Sequence, residues 1–373
     1  MIYLDNNSTM AIDPVVKQSM IELMNVPLNA SSVHSYGSYA KKMLNQAKLQ
    51  ISEALNANSY KIIFTSSATE ANNLIINNFA NDDVFISSIE HSSIFEQQYH
   101  LPNVHIVKVH NNGILNLEHL DDLLLNRSKS NTRQKIVSVM LANHETGIIQ
   151  PIEEVVKIAK KYNALVHVDA VQAIGKIPVD IAKLDVDFMT ISSHKIAGPN
   201  GVAALIIRDN YLITPMIIGG KQEYGVRSGT ENIIAIVGFG HAIKIAIDAL
   251  SERVGQMQIL QEYLEMNLSL VLSNTHIIGK SQRRLPNTSL IANVALSSEA
   301  QVVALDMRSI LVSNGSACSS GKIETSHVLE AMQISPNIIQ SAIRISLSYN
   351  NTKSDIDNFI NAFYEIHNLK QIA

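Results

Sequence analysis

Between residues 61 and 208, short β-branched runs alternate with helix-like stretches, and this alternation constrains the fold more than any other feature of the chain. The runs are KIIFTS (61–66), VFISSIE (84–90), VHIVKV (104–109), IVSVML (136–141), LVHVD (165–169), FMTISS (188–193) and VAALIIR (202–208). Between two of them lies IEEVVKIAKKY (152–162), which sets Ile152, Val155, Val156 and Ala159 on one face at helical spacing. Strands alternating with helices predict an α/β fold with a mostly parallel sheet covered on both faces. The last two runs have no helix between them, so a local hairpin or antiparallel strand is expected there.

The 373 residues exceed the ~250–300 at which a single core usually splits, so two domains are expected. Asp13 can cap a helix that begins at Pro14. After about 230 the pattern is helical to roughly 272, and the final hundred residues mix shorter strands and helices. We expect a large domain over 13–250 and a smaller α+β domain formed by 1–12 and 251–373.

The formal net charge is -4 and there is no Lys/Arg-rich block, which gives no reason to expect nucleic acid or an anionic membrane as partner. The N-terminus MIYLDNNSTM has no positive region and meets Asp5 early, unlike a secretory signal. The longest apolar runs, such as VAALII (202–207), fall far short of the ~20 residues of a membrane span. A cytoplasmic protein is the expectation. With one cysteine, Cys318, an intramolecular disulfide and a cysteine zinc cage are both excluded. His34, His91, His144, His167 and His194 are scattered without metal-ligand spacing, and no metal site is expected.

Ligands of such sheets gather beyond the carboxyl ends of the strands, where several polar clusters fall. In FTSSATEANN (64–73) a strand gives way to a helix, with Ser67 and Glu70 spaced as a capping box. The free N–H groups there and the Thr69 hydroxyl suit a phosphate, though an ordinary capped helix has the same pattern. In HVDAVQ (167–172), Asp169 ends a buried strand and needs a partner, either a protonated heterocyclic nitrogen or a basic side chain. In SSHKIAGPNG (192–201), Lys195 follows a strand among small and polar residues, a setting in which a lysine can be desolvated for Schiff-base chemistry. A phosphate-binding turn, a buried aspartate and a pocket lysine are together the fixtures that pyridoxal phosphate needs. Cys318 sits among Gly, Ser and Ala in SNGSACSSGK (313–322), which favours an exposed thiol over a core one. Arg344, in the strand-like AIRISLS (342–348), is either a grip for a carboxylate or one half of a structural ion pair.

Nearly the whole chain resembles the cysteine desulfurases, fold-type I pyridoxal-phosphate enzymes grouped with the class-V aminotransferases. The resemblance is carried by LDNNST (4–9), SSVHSYG (31–37), TSSATEANN (65–73), EHSS (90–93), HETG (144–147), HVDAVQAIGK (167–176), SSHKIAGP (192–199), GGKQEYGVRSGTEN (219–232) and GSACSS (315–320). The last of these is similar to the NifS/IscS-like branch. The resemblance implies that Lys195 forms the Schiff base, that His91 stacks on the cofactor ring and moves protons, and that Asp169 partners the ring nitrogen. It implies Gln172 as donor to the ring hydroxyl, and Ala68, Thr69, Ser192 and His194 as phosphate contacts. Thr230 matches a residue that reaches the phosphate of a neighbouring subunit, hence a homodimer. Arg344 matches the residue that binds the substrate carboxylate, and Cys318 the nucleophile that becomes a persulfide. The implied activity removes sulfur from L-cysteine, leaves L-alanine, and passes sulfur to an acceptor protein in iron–sulfur cluster assembly or tRNA thiolation.

Three segments depart from the family pattern. His144 stands where the family usually has a cofactor-contacting Asn, Leu28-Asn29-Ala30-Ser31-Ser32 replaces Gly-Asn-Pro-Ser-Ser, and Lys221 and Tyr224 replace Gly and Arg. Two further readings stay open on sequence alone: a selenocysteine or other C–S lyase, and a catalytically degenerate scaffold homologue.

Overall fold

The computed structural model describes residues 1–130, 133–272, 274–315 and 325–368. Seven strands among them form the central sheet, in the order Tyr60–Thr65, Ala203–Arg208, Phe188–Ser192, Ala164–Asp169, Lys135–Met140, Asp83–Ser87 and Val104–Val107. Ala203–Arg208 runs antiparallel to both neighbours, as the missing crossover helix predicts, and the remaining pairs are parallel. Lys135–Met140 is buried at every position, because helices cover both faces of the sheet. Ile152, Val155, Val156 and Ala159 are the buried face of the helix Ile152–Lys161, as their spacing predicts. The helix Ile233–Asp248 is apolar nearly all round because it packs between Pro14–Leu23 and Ser35–Leu55. Among the described residues no single helix is long and apolar enough to cross a membrane.

The first helix begins as its sequence predicts. Asp13 Oδ1 accepts the Val15 N–H at 2.9 Å, and Pro14 occupies the first helical position. The long helical stretch after 230 is two helices, Ile233–Asp248 and Leu250–Val271, that meet at a 70° bend.

A second sheet of four antiparallel strands is ordered Ser313–Asn314, Ala342–Ser346, Thr288–Ala292 and His276–Ile278. Helices Leu250–Val271, Ser298–Asp306 and Lys353–Asn368 pack on it around Leu264, Leu268, Ile343, Ile345, Phe359 and Phe363. Each such side chain, fully buried, contributes about 1.5–3 kcal/mol. Leu4 joins this core, and Ile2–Tyr3 pairs with Ile310–Leu311. The chain start then crosses to the central sheet, where Met10 N–H donates to the His194 carbonyl at 3.0 Å and Asp13 N–H to that of Ala197 at 2.9 Å.

Candidate active site

A cleft of about 250 Å³ opens at the carboxyl ends of the parallel strands. Ala68, Thr69, His91, His144, Asp169, Gln172, His194 and Lys195 all line it. Three other expected residues lie off its lining. Ser192 is buried at the end of its strand, Arg344 is buried behind His144, and Thr230 lines a separate surface hollow with Ser66 and Arg227. Cys318 lies outside the described residues.

The phosphate end is built by a strand-to-helix junction. Ser67 caps the helix Ala68–Asn78, its hydroxyl accepting the Glu70 N–H at 3.1 Å. The N–H groups of Ala68 and Thr69 have no acceptor within the helix and stand at its positive end. The expected capping box is half formed. Glu70 turns away from Ser67, accepting from Ser66 N–H at 2.8 Å and from Arg227 Nε at 2.9 Å. Those bonds hold its carboxyl below the ordinary range despite partial burial, and they keep a negative charge away from the two free N–H groups. His194 closes this end. Burial and the nearby Lys195 and Lys176 pull it down to about 4, so the ring is neutral and donates a hydrogen bond rather than a full charge.

Lys195 follows the strand Phe188–Ser192 in a single 3₁₀ turn. The turn is tight because residue 198 is glycine. A Cβ there would lie 2.1 Å from Ser193 Oγ and 2.9 Å from the Ala242 side chain. Lys195 Nζ donates to the backbone carbonyls of Asn7 (2.5 Å) and Ser8 (2.7 Å), so the LDNNST segment tethers the amine.

Asp169 is only 6% exposed, and its partners are neutral donors: Asn72 Nδ2 at 2.9 Å and Val171 N–H at 3.0 Å. Both of these donors are uncharged, which leaves the carboxylate available to a protonated ring nitrogen. Asn72 spends its second N–H on Ser93 Oγ at 2.9 Å, and Ser93 Oγ lies 2.9 Å from His91 Nδ1. Ser93 N–H also donates to His91 Nδ1 at 3.1 Å. Two donors on Nδ1 assign the ring proton of His91 to Nε2, and burial lowers its pKa so that the ring stays neutral. Sequence reasoning missed Asn72 and Ser93. The signal was present, since Asn72 is four residues beyond Ala68 and so on the same helix face.

His144 is buried, and burial, with His91, His327, Arg344 and Lys195 nearby, drives its pKa well below the usual value. Its Nδ1 is buried without a hydrogen-bond partner among the described residues, although His144 lines the cleft. An orphaned nitrogen of this kind is costly and marks a place where a ligand atom belongs. The ring meets that of His91 edge to face at 5.4 Å.

Glu145, next in sequence, is buried and accepts from Ser326 Oγ at 2.5 Å. Burial pushes its carboxyl from 4.5 up to about 7. The folded protein therefore keeps this proton to about pH 7, whereas the unfolded chain releases it near 4.5. Stability from this group is complete below about pH 4.5 and is lost as the pH rises through 7, by roughly 3 kcal/mol. Glu145→Gln keeps the acceptor but not the acid. Its thermal unfolding midpoint is expected to gain on wild type between about pH 5 and pH 8. A difference that stays flat over that range would contradict the assignment.

The Aminotransferase class-V family model matches residues 2–359. The chain belongs to the class-V aminotransferase family. A relative described as "Cysteine desulfurase" from Gluconacetobacter diazotrophicus is 35% identical over 366 residues, covering 96% of this chain and 91% of that one. "Cysteine desulfurase IscS 1" of Archaeoglobus fulgidus is 37% identical over 371 residues, covering 96% and 95%. Among solved structures, a NifS-like protein from Rickettsia africae superposes with a TM-score of 0.93 at 46% identity over 99% of both chains. The expected family and fold-type I architecture are thereby borne out, and pyridoxal phosphate is the cofactor of this class-V aminotransferase. Its site fits that group. The helix start offers N–H donors to a phosphate, Asp169 has room for a ring N–H, and His144 Nδ1 awaits a polar atom.

Proposed function

We propose that the chain is a cysteine desulfurase that moves the sulfur of L-cysteine onto Cys318 and releases L-alanine. The observation that carries this reading is the convergence of Lys195, Asp169, His91 and the Ala68–Thr69 helix start on one cleft. Pyridoxal phosphate, when bound, supplies an electron-withdrawing ring conjugated to the substrate α-carbon. Ala68, Thr69, Ser192 and His194 hold its phosphate, Asp169 keeps a proton on its ring nitrogen, and Gln172 and His144 face its polar edge. Lys195 Nζ anchors it and, once freed, carries the proton that leaves the substrate α-carbon. His91 Nε2 is the second proton carrier of the cleft.

Cys318 takes the substrate sulfur as a persulfide: a sulfur–sulfur bond forms as the carbon–sulfur bond breaks, and the remaining carbon skeleton becomes alanine. Arg344 is assigned to the substrate carboxylate. Its Nη2 is held by Asp5 Oδ1 at 2.8 Å and Ser8 Oγ at 3.0 Å, so this role requires the substrate to exchange with Asp5.

Thr230 is assigned to the phosphate held by a second copy of the chain, which makes the working form a homodimer. In support, Met216, Ile217, Ile218 and Tyr224 stand exposed on the segment that leads to it. Residues 13–250 form the cofactor-binding domain in this reading, and 1–12 with 251–373 form the domain that carries Cys318. The sulfur passes on to an acceptor protein of iron–sulfur cluster assembly or tRNA thiolation, and a catalytic thiol of this kind suits the reducing cytoplasm. Incubation of the cofactor-loaded protein with L-cysteine is expected to yield alanine and protein-bound sulfur in equal amounts. Pyruvate and ammonia in place of alanine would sink the reading.

A further inference from the structure

One buried lysine of the site has no part in the chemistry above. Lys176 is 3% exposed, and Nζ donates to Gln172 Oε1 at 2.7 Å and to Asn7 Oδ1 at 3.1 Å. Burial, with Lys195 and Arg344 nearby, holds its pKa well below that of an ordinary lysine. A buried lysine is costly and is kept only where its donors are needed.

Its bond to Gln172, together with the Asn7 carbonyl, sets an orientation. A carboxamide has an acceptor end and a donor end of nearly the same shape, so packing alone does not choose between them. Lys176 Nζ donates to the end of the amide that it meets, which is therefore Oε1. The Asn7 carbonyl, which can only accept, meets Nε2 at 3.0 Å, and the second hydrogen of Nε2 is left for the cleft that Gln172 lines. The same Asn7 carbonyl accepts from Lys195 Nζ. Asn7 is itself locked: Oδ1 also accepts from Asn287 Nδ2 at 3.0 Å, Nδ2 donates to Thr288 Oγ1 at 2.9 Å, and N–H donates to Ser346 Oγ at 2.9 Å.

We propose that Lys176 is a positioning residue that fixes the Gln172 amide with its donor end toward the cofactor. This rests on the reading of Gln172 as the partner of the cofactor's ring oxygen. A hydrogen bond to that oxygen favours the deprotonated state of the neighbouring lysine linkage, so its loss moves the pH midpoint of the visible absorption band upward.

The test titrates that band in the cofactor-loaded protein. Gln172→Ala raises the midpoint by about 0.5–1 unit, the equivalent of one neutral hydrogen bond. Lys176→Met raises it by a similar amount, and K176M/Q172A goes no further than Q172A alone. Lys176→Gln, which restores a donor without the charge, shifts it by less than half as much. If K176M does not accumulate as soluble protein, Lys176→Ala, which leaves space for water, is read in the same way. A normal Q172A shift with no K176M shift overturns the role of Lys176 alone, as does a K176Q shift equal to that of K176M. No shift in Q172A overturns the reading of Gln172 and the inference with it.

Discussion

Lys195→Ala is expected to turn over L-cysteine about 10⁴-fold more slowly than wild type, the upper end of what one positioned acid–base group contributes. The size of the effect follows from two roles on one atom. Lys195 Nζ is the anchor of the cofactor and the carrier of the substrate α-proton, and it is aimed by the carbonyls of Asn7 and Ser8. Removing the amine leaves those carbonyls and the rest of the cleft in place, so cofactor still binds without covalent attachment. Borohydride reduction followed by denaturation distinguishes the two states. Wild type retains the cofactor on the chain and the variant releases it. Covalent retention in the variant would mean that another amine is the anchor.

Asp169→Asn gives the opposite pattern. The amide fills the same volume but carries no charge to hold a proton on the ring nitrogen. Covalent attachment through Lys195 is expected to be unaffected, while turnover is expected to fall by about 10²–10³-fold, the usual cost of removing one electrostatic partner from a dry site. Asp169 has no cationic partner in its hydrogen bonds with Asn72 and Val171, so the loss is felt by the ligand rather than by a neighbouring ion pair. Turnover within a few-fold of wild type would remove Asp169 from the chemistry.

Much of this was legible in the sequence, for physical reasons that differ by element. The seven runs of the central sheet announce themselves because buried parallel strands are continuously apolar, and the observed strands begin within a residue of the expected runs. The antiparallel Ala203–Arg208 was legible from a missing helix. Lys195, Asp169 and the helix start at Ala68 were readable because each follows a strand, where open sheets place ligands. What was not legible is how these groups are held. Asn7 binds Lys195, Gln172 and Lys176 from 165 or more positions away in sequence, and Asn72 reaches Asp169 across 97. Such contacts are set by how the sheets and the chain start come together, which local patterns do not encode. Glu70 shows the same limit in miniature. Its spacing from Ser67 predicts a closed capping box, yet Arg227, distant in sequence, draws its carboxylate away.

The single histidine departure has acquired a physical meaning. His144 stands where the resemblance implies an amide, and burial keeps its imidazole neutral, so it still offers one donor and one acceptor. Its Nδ1, without a hydrogen-bond partner among the described residues, is an unused polar atom on a residue that lines the cleft.

The central claim is that sulfur leaves L-cysteine for Cys318, and peptide mass spectrometry after brief incubation with L-cysteine tests it most directly. The account predicts one added sulfur atom on the peptide that contains Cys318, formed with an equal amount of alanine, and no added sulfur in Cys318→Ala. Alanine formation at the wild-type rate with no sulfur on that peptide would contradict it.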